Sequence, residues 1–278
     1  MIADLHTHSN ASDGILRPEE LVSRAKSQGV SLLALTDHDT TAGIDAAKRE
    51  AIAAGMGFIA GVEISTLWNG IGIHIVGLNI DTAEPTLANA LSSQQNIRDE
   101  RAKEIAARLA KLGVSGSYEG AKQIAGNAEI GRPHFAQHLL NEGVVTSIEQ
   151  AFKKYLGAGK PGDVKQLWPE VHEATAWIRA AGGKAVIAHP DKYKMTRTKL
   201  RALIEDFKNH GGQAIEVISG LQTPNITRDM TGLCERFALE ASCGSDFHQP
   251  NAHWQELGSF GKLAPHLTPV WHDWPNVA

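Results

Sequence analysis

Residues 58–78 read FIAGVEISTLWNGIGIHIVGL, two apolar, β-branched runs on either side of Asn69 and Gly70. An Asn-Gly pair between such runs is the strongest short-range signal for a β-hairpin with a two-residue turn. The stretch therefore predicts a strand at 58–64 that extends towards the turn, and a second strand at 71–78 that returns antiparallel to it.

The two-residue turn also predicts the register of the hairpin. Trp68 should pair with Ile71, and counting back along both strands should pair Ser65 with His74. Residues that face each other across the strands share a side of the sheet, as do residues two apart in one strand. Glu63 and His74 should therefore project from the same side as diagonal neighbours.

Outside this hairpin, short apolar runs alternate with helical patterns, both before residue 60 and after residue 171. Such alternation is typical of βαβ units with a parallel sheet. The predicted strands are 2–5, 31–35, 58–64, 71–78, 184–188, 214–218 and 239–243, and the predicted helices between them are 18–28, 42–54, 171–181, 198–209 and 226–236. Seven strands in this arrangement predict an α/β fold, an irregular (β/α) barrel.

Residues 86–165 interrupt the alternation and contain no strong strand pattern. Segment 87–112 is charged and helical, a glycine-punctuated stretch follows, and a further helix is predicted at 147–156. The positions of the first helix that should be buried are Leu87, Leu91, Ile105, Leu109 and Leu112. The predicted domains are a barrel formed by 1–85 and 166–278, with 86–165 as a helical insertion or cap.

The composition, 42% hydrophobic and 21% charged residues with a net charge of -4, is ordinary for a soluble globular protein. A chain of this charge does not attract nucleic acid or anionic membrane as a whole, so local cations or metals must gather an anionic substrate. The stretch MIADLHTHS lacks the basic and apolar regions of a signal peptide, and no apolar run approaches the roughly 18 residues of a membrane span. Cys234 and Cys243 form no metal-binding pattern. We expect a cytoplasmic enzyme with no membrane partner.

Side chains that bind metals follow five separate predicted strands. His6 and His8 come after the first strand, and alternate residues of a strand point to the same side. The other strand ends carry His38 between Asp37 and Asp39, Glu63, His189, and the pair Asp246 and His248. Ligands of parallel barrels bind at the carboxyl ends of the strands. We therefore expect these side chains, with His74 from the hairpin, to meet in one site, with Asp37 and Asp39 in supporting or solvated positions.

The mixture of imidazole and carboxylate indicates which metals the site would take. It suits Zn²⁺, Mn²⁺ and Fe²⁺, whereas an all-oxygen site would suit Mg²⁺ or Ca²⁺. Glu63 could bridge two cations, and metals about 3.5–4 Å apart clamp the attacking and leaving oxygens of a phosphoryl displacement. The sequence predicts a metal-dependent phosphoesterase with two or three divalent cations, Mn²⁺ first, with Zn²⁺, Fe²⁺ and Mg²⁺ as alternatives.

Five sequence blocks then resemble a known family. The blocks are D-L-H-T-H-S at 4–9, T-D-H-D at 36–39, G-V-E-I at 61–64, A-H-P at 188–190 and G-S-D-F-H at 244–248. They are similar in type and order to the motifs of the PHP (polymerase and histidinol phosphatase) family. Two further stretches, I-G-R-P-H-F-A at 130–136 and G-K-P-G at 159–162, resemble its nucleoside 3′,5′-bisphosphate phosphatases, which include RNase AM-like enzymes that trim short RNA from the 5′ end.

The resemblance implies an irregular (β/α)7 barrel of the PHP type with a helical insertion domain, and a site for three metals. The implied ligands are His6, His8, Glu63 and Asp246 for the first metal, Glu63, His74 and His189 for the second, and Asp13, His38 and His248 for the third. Position 13 is a histidine in the histidinol phosphatase branch. The aspartate found here should make the third metal the weakest bound.

The resemblance further implies roles in catalysis and in substrate binding. Glu63, His189 and Asp246 are the expected catalytic residues, while Arg132, His134 and Lys160 are expected to contact the substrate. A metal cluster handles the scissile phosphate, so cations in the insertion would serve a second phosphate, for which arginine is well suited. The expected reaction is removal of the 3′-phosphate of a nucleoside 3′,5′-bisphosphate, with 5′-to-3′ trimming of short single-stranded RNA as an extension.

Three alternatives stay open on the sequence. Histidinol phosphate or another phosphomonoester could be the substrate, although Asp13 and the Arg132 block count against it. The chain could be a non-catalytic PHP binding module, a case that loss of several ligands would mark. Barrel amidohydrolases use related His-x-His sites, so metal-dependent hydrolysis of a C–N bond is the third. The sequence does not determine the oligomeric state.

Overall fold

The computed structural model describes residues 1–126, 128, 130–164 and 168–275. Seven strands of this part of the chain form one sheet, in which each strand lies beside its neighbours in sequence. They are β1 (Ala3–Asp4), β2 (Leu32–Leu35), β3 (Gly57–Trp68), β4 (Ile71–Leu78), β5 (Lys184–Ile187), β6 (Ala214–Ser219) and β7 (Glu240–Gly244). All seven predicted strands are therefore present.

The sheet is mixed and closes on itself. Strands β1 to β3 are parallel, β4 is antiparallel to both of its neighbours, and β5 to β7 are parallel again. The amide of Leu5 donates to the carbonyl of Cys243 over 3.0 Å, and Thr7 forms a parallel bridge with Phe247. These contacts join β7 back to β1 and confirm the predicted barrel.

The hairpin has the register predicted from its turn. Trp68 pairs with Ile71 and Ser65 with His74. Asn69 and Gly70 both have positive φ angles, 49° and 72°, as a type I′ turn requires. Strand β3 continues to Trp68, beyond the predicted end of the strand, because the whole of β4 pairs with residues 61–68 of β3.

The described residues also form helices. In chain order they are α1 (Pro18–Ser27), α2 (Ile44–Ala53), α3 (Pro85–Ala110), α4 (Ser117–Ala125), α5 (Arg132–Asn141), α6 (Ile148–Ala151), α7 (Val171–Ala180), α8 (Arg197–Asn209) and α9 (Pro224–Arg236). Helix α1 buries Leu21, Val22 and Ala25 against Leu33 and Leu35 of β2. The alternate residues of that strand, Leu32 and Ala34, belong to a second apolar cluster with Leu5 of the loop after β1. Burial on both faces explains why β2 is a continuous apolar run.

The chain forms two compact units, Met1–Ala90 with Pro169–Ala278, and Leu91–Trp168. The second unit has its own apolar core, which includes Ile105, Leu109, Phe135, Leu139 and Leu156. The sequence placed the insertion at 86–165, and its status as an inserted domain stays a prediction. Residues 127, 129, 165–167 and 276–278 of the predicted domains lie outside the described residues.

Two sequence expectations for the second unit were wrong. Helices α4 and α5 occupy the glycine-punctuated stretch, to which no helix was assigned. Gly120 is a packing residue rather than a breaker, because a Cβ there would lie 2.1 Å from Nδ1 of His138. Leu112 is 50% exposed instead of buried, since α3 ends at Ala110 and the chain turns there. The other four predicted core positions of this helix are buried.

The predicted helix at 147–156 begins as α6 and continues as a π-helical turn over Phe152–Leu156. No helix among the described residues is both long enough and apolar enough to cross a membrane.

Candidate metal centre

His6 and His8 follow β1 and bring their imidazoles to the same side, next to Glu63. Nε2 of His6 lies 3.2 Å and Nε2 of His8 3.3 Å from Oε2 of Glu63. The same two nitrogens lie 3.8 Å and 3.5 Å from Oδ1 of Asp246. The four side chains that the family resemblance implied for the first metal are thus in one place, and His6, His8 and Glu63 are almost completely buried.

The other carboxylate oxygen of Glu63 faces two more imidazoles. Oε1 lies 2.9 Å from Nδ1 of His74 and 3.1 Å from Nε2 of His189. His74 reaches this position because the hairpin places it diagonally opposite Glu63, as its register predicted. The two oxygens of Glu63 therefore face different sets of histidines, which is the arrangement that a bridging carboxylate needs.

Asp13 lies close to the two remaining histidines, His38 and His248. Its Oδ1 lies 3.3 Å from Nε2 of His248, and its Oδ2 lies 3.7 Å from Nε2 of His38. The opposite ring nitrogen of His38, Nδ1, lies 3.1 Å from Oε2 of Glu63. His38 thus stands between the Asp13 group and the Glu63 group, with one ring nitrogen towards each.

The donor atoms fit divalent cations. The described residues contain four overlapping groups of three or four side chains whose ligand atoms lie within 4.8 Å of one another, and together these groups include all nine predicted ligands. Within the described structure, several of these atoms are buried with no hydrogen-bond partner, namely Nε2 of His6, both ring nitrogens of His8, Nδ1 of His38, Oε2 of Glu63 and Nδ1 of His189. Their close approaches lack hydrogen-bond alignment. Because a buried polar atom without a partner is unfavourable, the cluster needs a further component, which cations would supply.

The electrostatic environment keeps the carboxylates ionised, the form that binds metals. Burial by itself would raise the pKa of Glu63, but the surrounding histidines, His6 and His74 among them, hold it well below its ordinary range. Burial likewise opposes ionisation of Asp246, but the close approach of His8 and the charges of His6, His248 and Lys192 hold its pKa well below its ordinary value.

The imidazoles differ from one another in the direction of their pKa shifts. Burial lowers the pKa of His38 well below its ordinary value, so this ring is neutral and ready to bind a cation. Partial burial likewise opposes the charged form of His248, yet the carboxylates of Asp13 and Asp246 raise its pKa to about 10. A proton on His248 must leave before the ring can coordinate, so protons and metal compete there.

Strained backbone marks three loops of the centre. Asp39, His189 and Asp246 have positive φ angles of 51°, 28° and 57°, which non-glycine residues rarely adopt. Each is held by a hydrogen bond from its amide, to the carbonyl of Glu63, to Oε2 of Glu216 and to the carbonyl of His6. Such strain persists where surrounding contacts over-determine the conformation, as at functional sites.

Glu216 was missed by the sequence analysis. It is a buried acidic residue of β6, and its Oε1 lies 2.9 Å from Nδ1 of His6, while its Oε2 accepts the amide of His189 over 2.6 Å. If Nδ1 of His6 carries the proton, its Nε2 keeps a lone pair towards Glu63 and Asp246. The one available signal was an acidic residue among the otherwise apolar residues 214–218.

We expect Glu216→Gln to weaken metal binding by about tenfold to a hundredfold, the usual effect of removing a carboxylate that orients a ligating histidine. The measurement is metal titration of the stripped protein in competition with a chelator. Glu205→Gln, on an exposed position of α8, is the matched control and should titrate like the unaltered protein. Identical affinities of the two variants would show that Glu216 does not position His6.

Asp246 is held from its other side by two residues that the sequence analysis also missed. Nζ of Lys192 donates to Oδ2 of Asp246 over 2.7 Å, and Nε2 of Gln255 donates to the same oxygen over 3.0 Å. Tyr193, the next residue after Lys192, accepts the amide of His74 through its hydroxyl over 2.9 Å. None of the three belongs to a motif, and only the tertiary structure brings them to the ligands.

Asp37 and Asp39 make supporting contacts with the loops of the centre. Asp37 accepts hydrogen bonds from the amide and hydroxyl of Ser9 and from the hydroxyl of Ser12. Oδ1 of Asp39 accepts the amide of Ser65 over 2.8 Å. The two aspartates therefore stabilise the loops that carry the ligands through hydrogen bonds.

Arg132, His134 and Lys160 lie in the second unit. Arg132 is the first residue of α5, and its Nη1 donates to the carbonyl of Leu156 over 3.3 Å. Nδ1 of His134 accepts the amide of Gly131 over 2.9 Å and so caps the start of the helix. Lys160 is exposed. Their contact with substrate stays a prediction.

Known proteins are similar to this chain over most of its length. A family model described as the PHP domain matches residues 4–219. The chain is 48% identical to a 5′-3′ exoribonuclease of Haemophilus influenzae, over 96% of this chain and 97% of the relative. It is 44% identical to the 3′,5′-nucleoside bisphosphate phosphatase of Chromobacterium violaceum, over 97% of this chain and 95% of the relative.

A solved structure is similar over almost the whole fold. It is described as an amidohydrolase from Chromobacterium violaceum with bound sulfate and no metal, and it matches with a TM-score of 0.91 at 44% identity, covering 98% of this chain and 95% of its own. The family model covers most of the chain, and both relatives match over nearly their full lengths. The chain therefore belongs to the PHP family.

Proposed function

We propose that this protein is a metal-dependent phosphoesterase that removes the 3′-phosphate of nucleoside 3′,5′-bisphosphates and trims short RNA from its 5′ end. The observation that carries the proposal is the convergence of Glu63 with eight further histidine and carboxylate side chains that could bind metal. The names of the two relatives, a bisphosphate phosphatase and an exoribonuclease, support the substrate class. The complete ligand set argues against a non-catalytic binding module.

The chemistry follows from what such a cluster holds. His6, His8, Glu63 and Asp246 would hold one cation, Glu63, His74 and His189 a second, and Asp13, His38 and His248 a third. Divalent cations there, with Mn²⁺ expected first, would lower the pKa of water and neutralise charge that develops on a phosphoryl group. Glu63 would bridge, because each of its oxygens faces its own set of imidazoles.

The protein's own groups would orient the phosphate. His6, His8 and Glu63 form the buried floor, whereas the side chains of His74 and Lys192 are 33% and 41% exposed. A phosphoryl group would enter from this open side and meet the Lys192 ammonium beside Asp246. His189 and Asp246 are the candidates for passing a proton to the leaving oxygen.

A bisphosphate needs a second anchor for its non-reacting phosphate. We assign this role to Arg132 and Lys160, with His134 as a further contact, from their place in the blocks that resemble the bisphosphate phosphatases. In the second unit, partial burial lowers the pKa of Arg132, and the charge of Asp163 only partly opposes this shift. Arg98 adds a further positive charge nearby. Two arginines and one aspartate leave an excess of positive charge, which suits a phosphate.

Hydrolysis of a C–N bond is the second candidate function, because the similar solved structure is described as an amidohydrolase. The two reactions release different products. A screen of nucleotides and amides with separate assays for phosphate and ammonia distinguishes them, and ammonia release without phosphate release would replace the phosphoesterase proposal.

The decisive test compares a nucleoside 3′,5′-bisphosphate with the matching 3′-monophosphate, with Mn²⁺, Mg²⁺ and Zn²⁺ added separately. We expect kcat/KM to be about tenfold to a hundredfold higher for the bisphosphate, since a charge-assisted contact to the second phosphate is worth roughly 1.5–3 kcal/mol. Phosphate release measures both rates. Equal rates would contradict the two-phosphate proposal and favour histidinol phosphate or other simple monoesters.

A further inference from the structure

A second concentration of charge lies on the outside of the barrel, between helices α8 and α9. An open cleft of about 340 Å³ is lined by Arg197 and Arg201 of α8 and by Arg228, Asp229 and Arg236 of α9. Four arginines thus line one cleft in a chain whose net charge is -4. None of these residues belongs to the metal centre or to the motifs of the sequence analysis.

The charges of this arginine cleft are poorly balanced by its own lining. Asp229 is the acidic residue of the lining, and its Oδ2 lies 3.1 Å from Nη1 of Arg197. Arg228 donates to the neutral Oδ1 of Asn225 over 2.9 Å. Nε of Arg201 is buried and has no hydrogen-bond partner within the described structure. Three of the four guanidinium charges therefore lack a balancing acidic residue in the lining that the structure describes.

Helical spacing places lining residues of each helix on one side of that helix. Arg197 and Arg201 are four apart on α8, and Asp229 and Arg236 are seven apart on α9, so each pair projects from one side of its helix. Like charges four residues apart destabilise a helix by themselves, and a bound anion would offset that effect. Gly232 lies between the α9 residues, and a Cβ there would meet no atom within 4 Å, which leaves the cleft open.

The cleft begins at the same end of the barrel as the metal centre. Helix α8 follows a short 3₁₀ turn, Pro190–Tyr193, which carries Lys192 and Tyr193 beside the ligands. Helix α9 contacts this turn and begins shortly after β6, the strand that carries Glu216. A polyanion whose end lies at the metals can therefore continue along the outside of the barrel between the two helices.

We propose that the arginine cleft binds the phosphodiester backbone of single-stranded RNA, on the 3′ side of the nucleotide being removed. The RNA ligand rests on the proposed function, while the site itself rests on the cleft. Guanidinium groups bind phosphate through paired hydrogen bonds and also stack on bases, the combination that sequence-independent binding of single strands uses. A nucleoside bisphosphate is too short to need this contact.

The test measures binding of a 5′-phosphorylated, 3′-fluorescent RNA of about ten nucleotides, a length within the range of known single-strand sites. Phosphorothioate linkages keep the holoenzyme from degrading it. In fluorescence anisotropy, Arg228→Gln/Arg236→Gln should weaken binding about tenfold. The slope of log Kd against log salt concentration should fall by about 0.7 for each phosphate that the double variant no longer neutralises. Lys48→Gln/Arg49→Gln removes the same charge from exposed positions of α2 and should leave both quantities unchanged.

Asp229→Asn should change the affinity for RNA in the opposite direction. It removes the acidic residue of the lining and releases Arg197, so RNA should bind more tightly. The arginine cleft is not the RNA site if the two double variants bind RNA with the same affinity, or if Asp229→Asn binds RNA more weakly than the unaltered protein. Hydrolysis of a nucleoside 3′,5′-bisphosphate should be the same in all of these proteins, and its absence from the unaltered enzyme would instead overturn the proposed function.

Discussion

Glu63→Gln should remove metal from the protein and lower phosphoesterase turnover by about a thousandfold or more. Both oxygens of Glu63 face imidazoles, and an amide cannot present two anionic oxygens to two cations. Loss of a bridged cation removes several kcal/mol of charge stabilisation from the transition state, at about 1.4 kcal/mol for each factor of ten. The effect should appear in kcat as well as in metal content.

Elemental analysis of the purified variant, together with phosphate release, measures both quantities. Glu205→Gln is again the matched control and should keep its metal and its activity. Full metal content and normal turnover in Glu63→Gln would refute the bridging role.

Titration of the stripped, unaltered protein with metal should show two tightly bound equivalents before a third that binds more weakly. Protons on His248 compete with the cation for the third site, which Asp13, His38 and His248 would form.

Arg132→Ala should lower kcat/KM for a nucleoside 3′,5′-bisphosphate by about tenfold to a hundredfold and leave the 3′-monophosphate nearly unaffected. A phosphate held at a distance from the reacting bond supplies binding energy that aligns the scissile group. Arg132→Lys keeps the charge but loses the paired hydrogen bonds, so its activity should be intermediate.

The control for this change is Lys111→Ala, an exposed residue of the same unit, which should react with both substrates at normal rates. Metal content should be normal in all three variants, since Arg132 is not among the ligand groups. A parallel decrease on both substrates would instead indicate that Arg132 supports the second unit, through its hydrogen bond to Leu156.

Much of the barrel and its ligands was predictable because the relevant constraints are local. An Asn-Gly turn of two residues permits one register, and that register places His74 beside Glu63. Metal chemistry restricts ligands to a few residue types, and their repeated position after strands made His6, His8, His38, His189 and Asp246 recognisable. The sequence therefore determined the fold class and the set of candidate ligands.

The second unit was less predictable for a physical reason. Glycine is read as a helix breaker, yet Gly120 lies within α4 because the ring of His138 occupies the space of its missing side chain. Whether a glycine ends a helix or admits a neighbour depends on what packs against it. The burial of Leu112 likewise depended on where α3 stops.

The residues that support the ligands were decided only by the tertiary structure. Glu216 orients His6 across 210 positions of sequence, and Lys192 holds Asp246 across 54. An acidic residue in a strand, or a lysine after one, has no distinguishing pattern, because its role depends on which strand closes the barrel beside it. The same holds for the arginine cleft, whose two helices carry separate and ordinary charges until packing places them side by side.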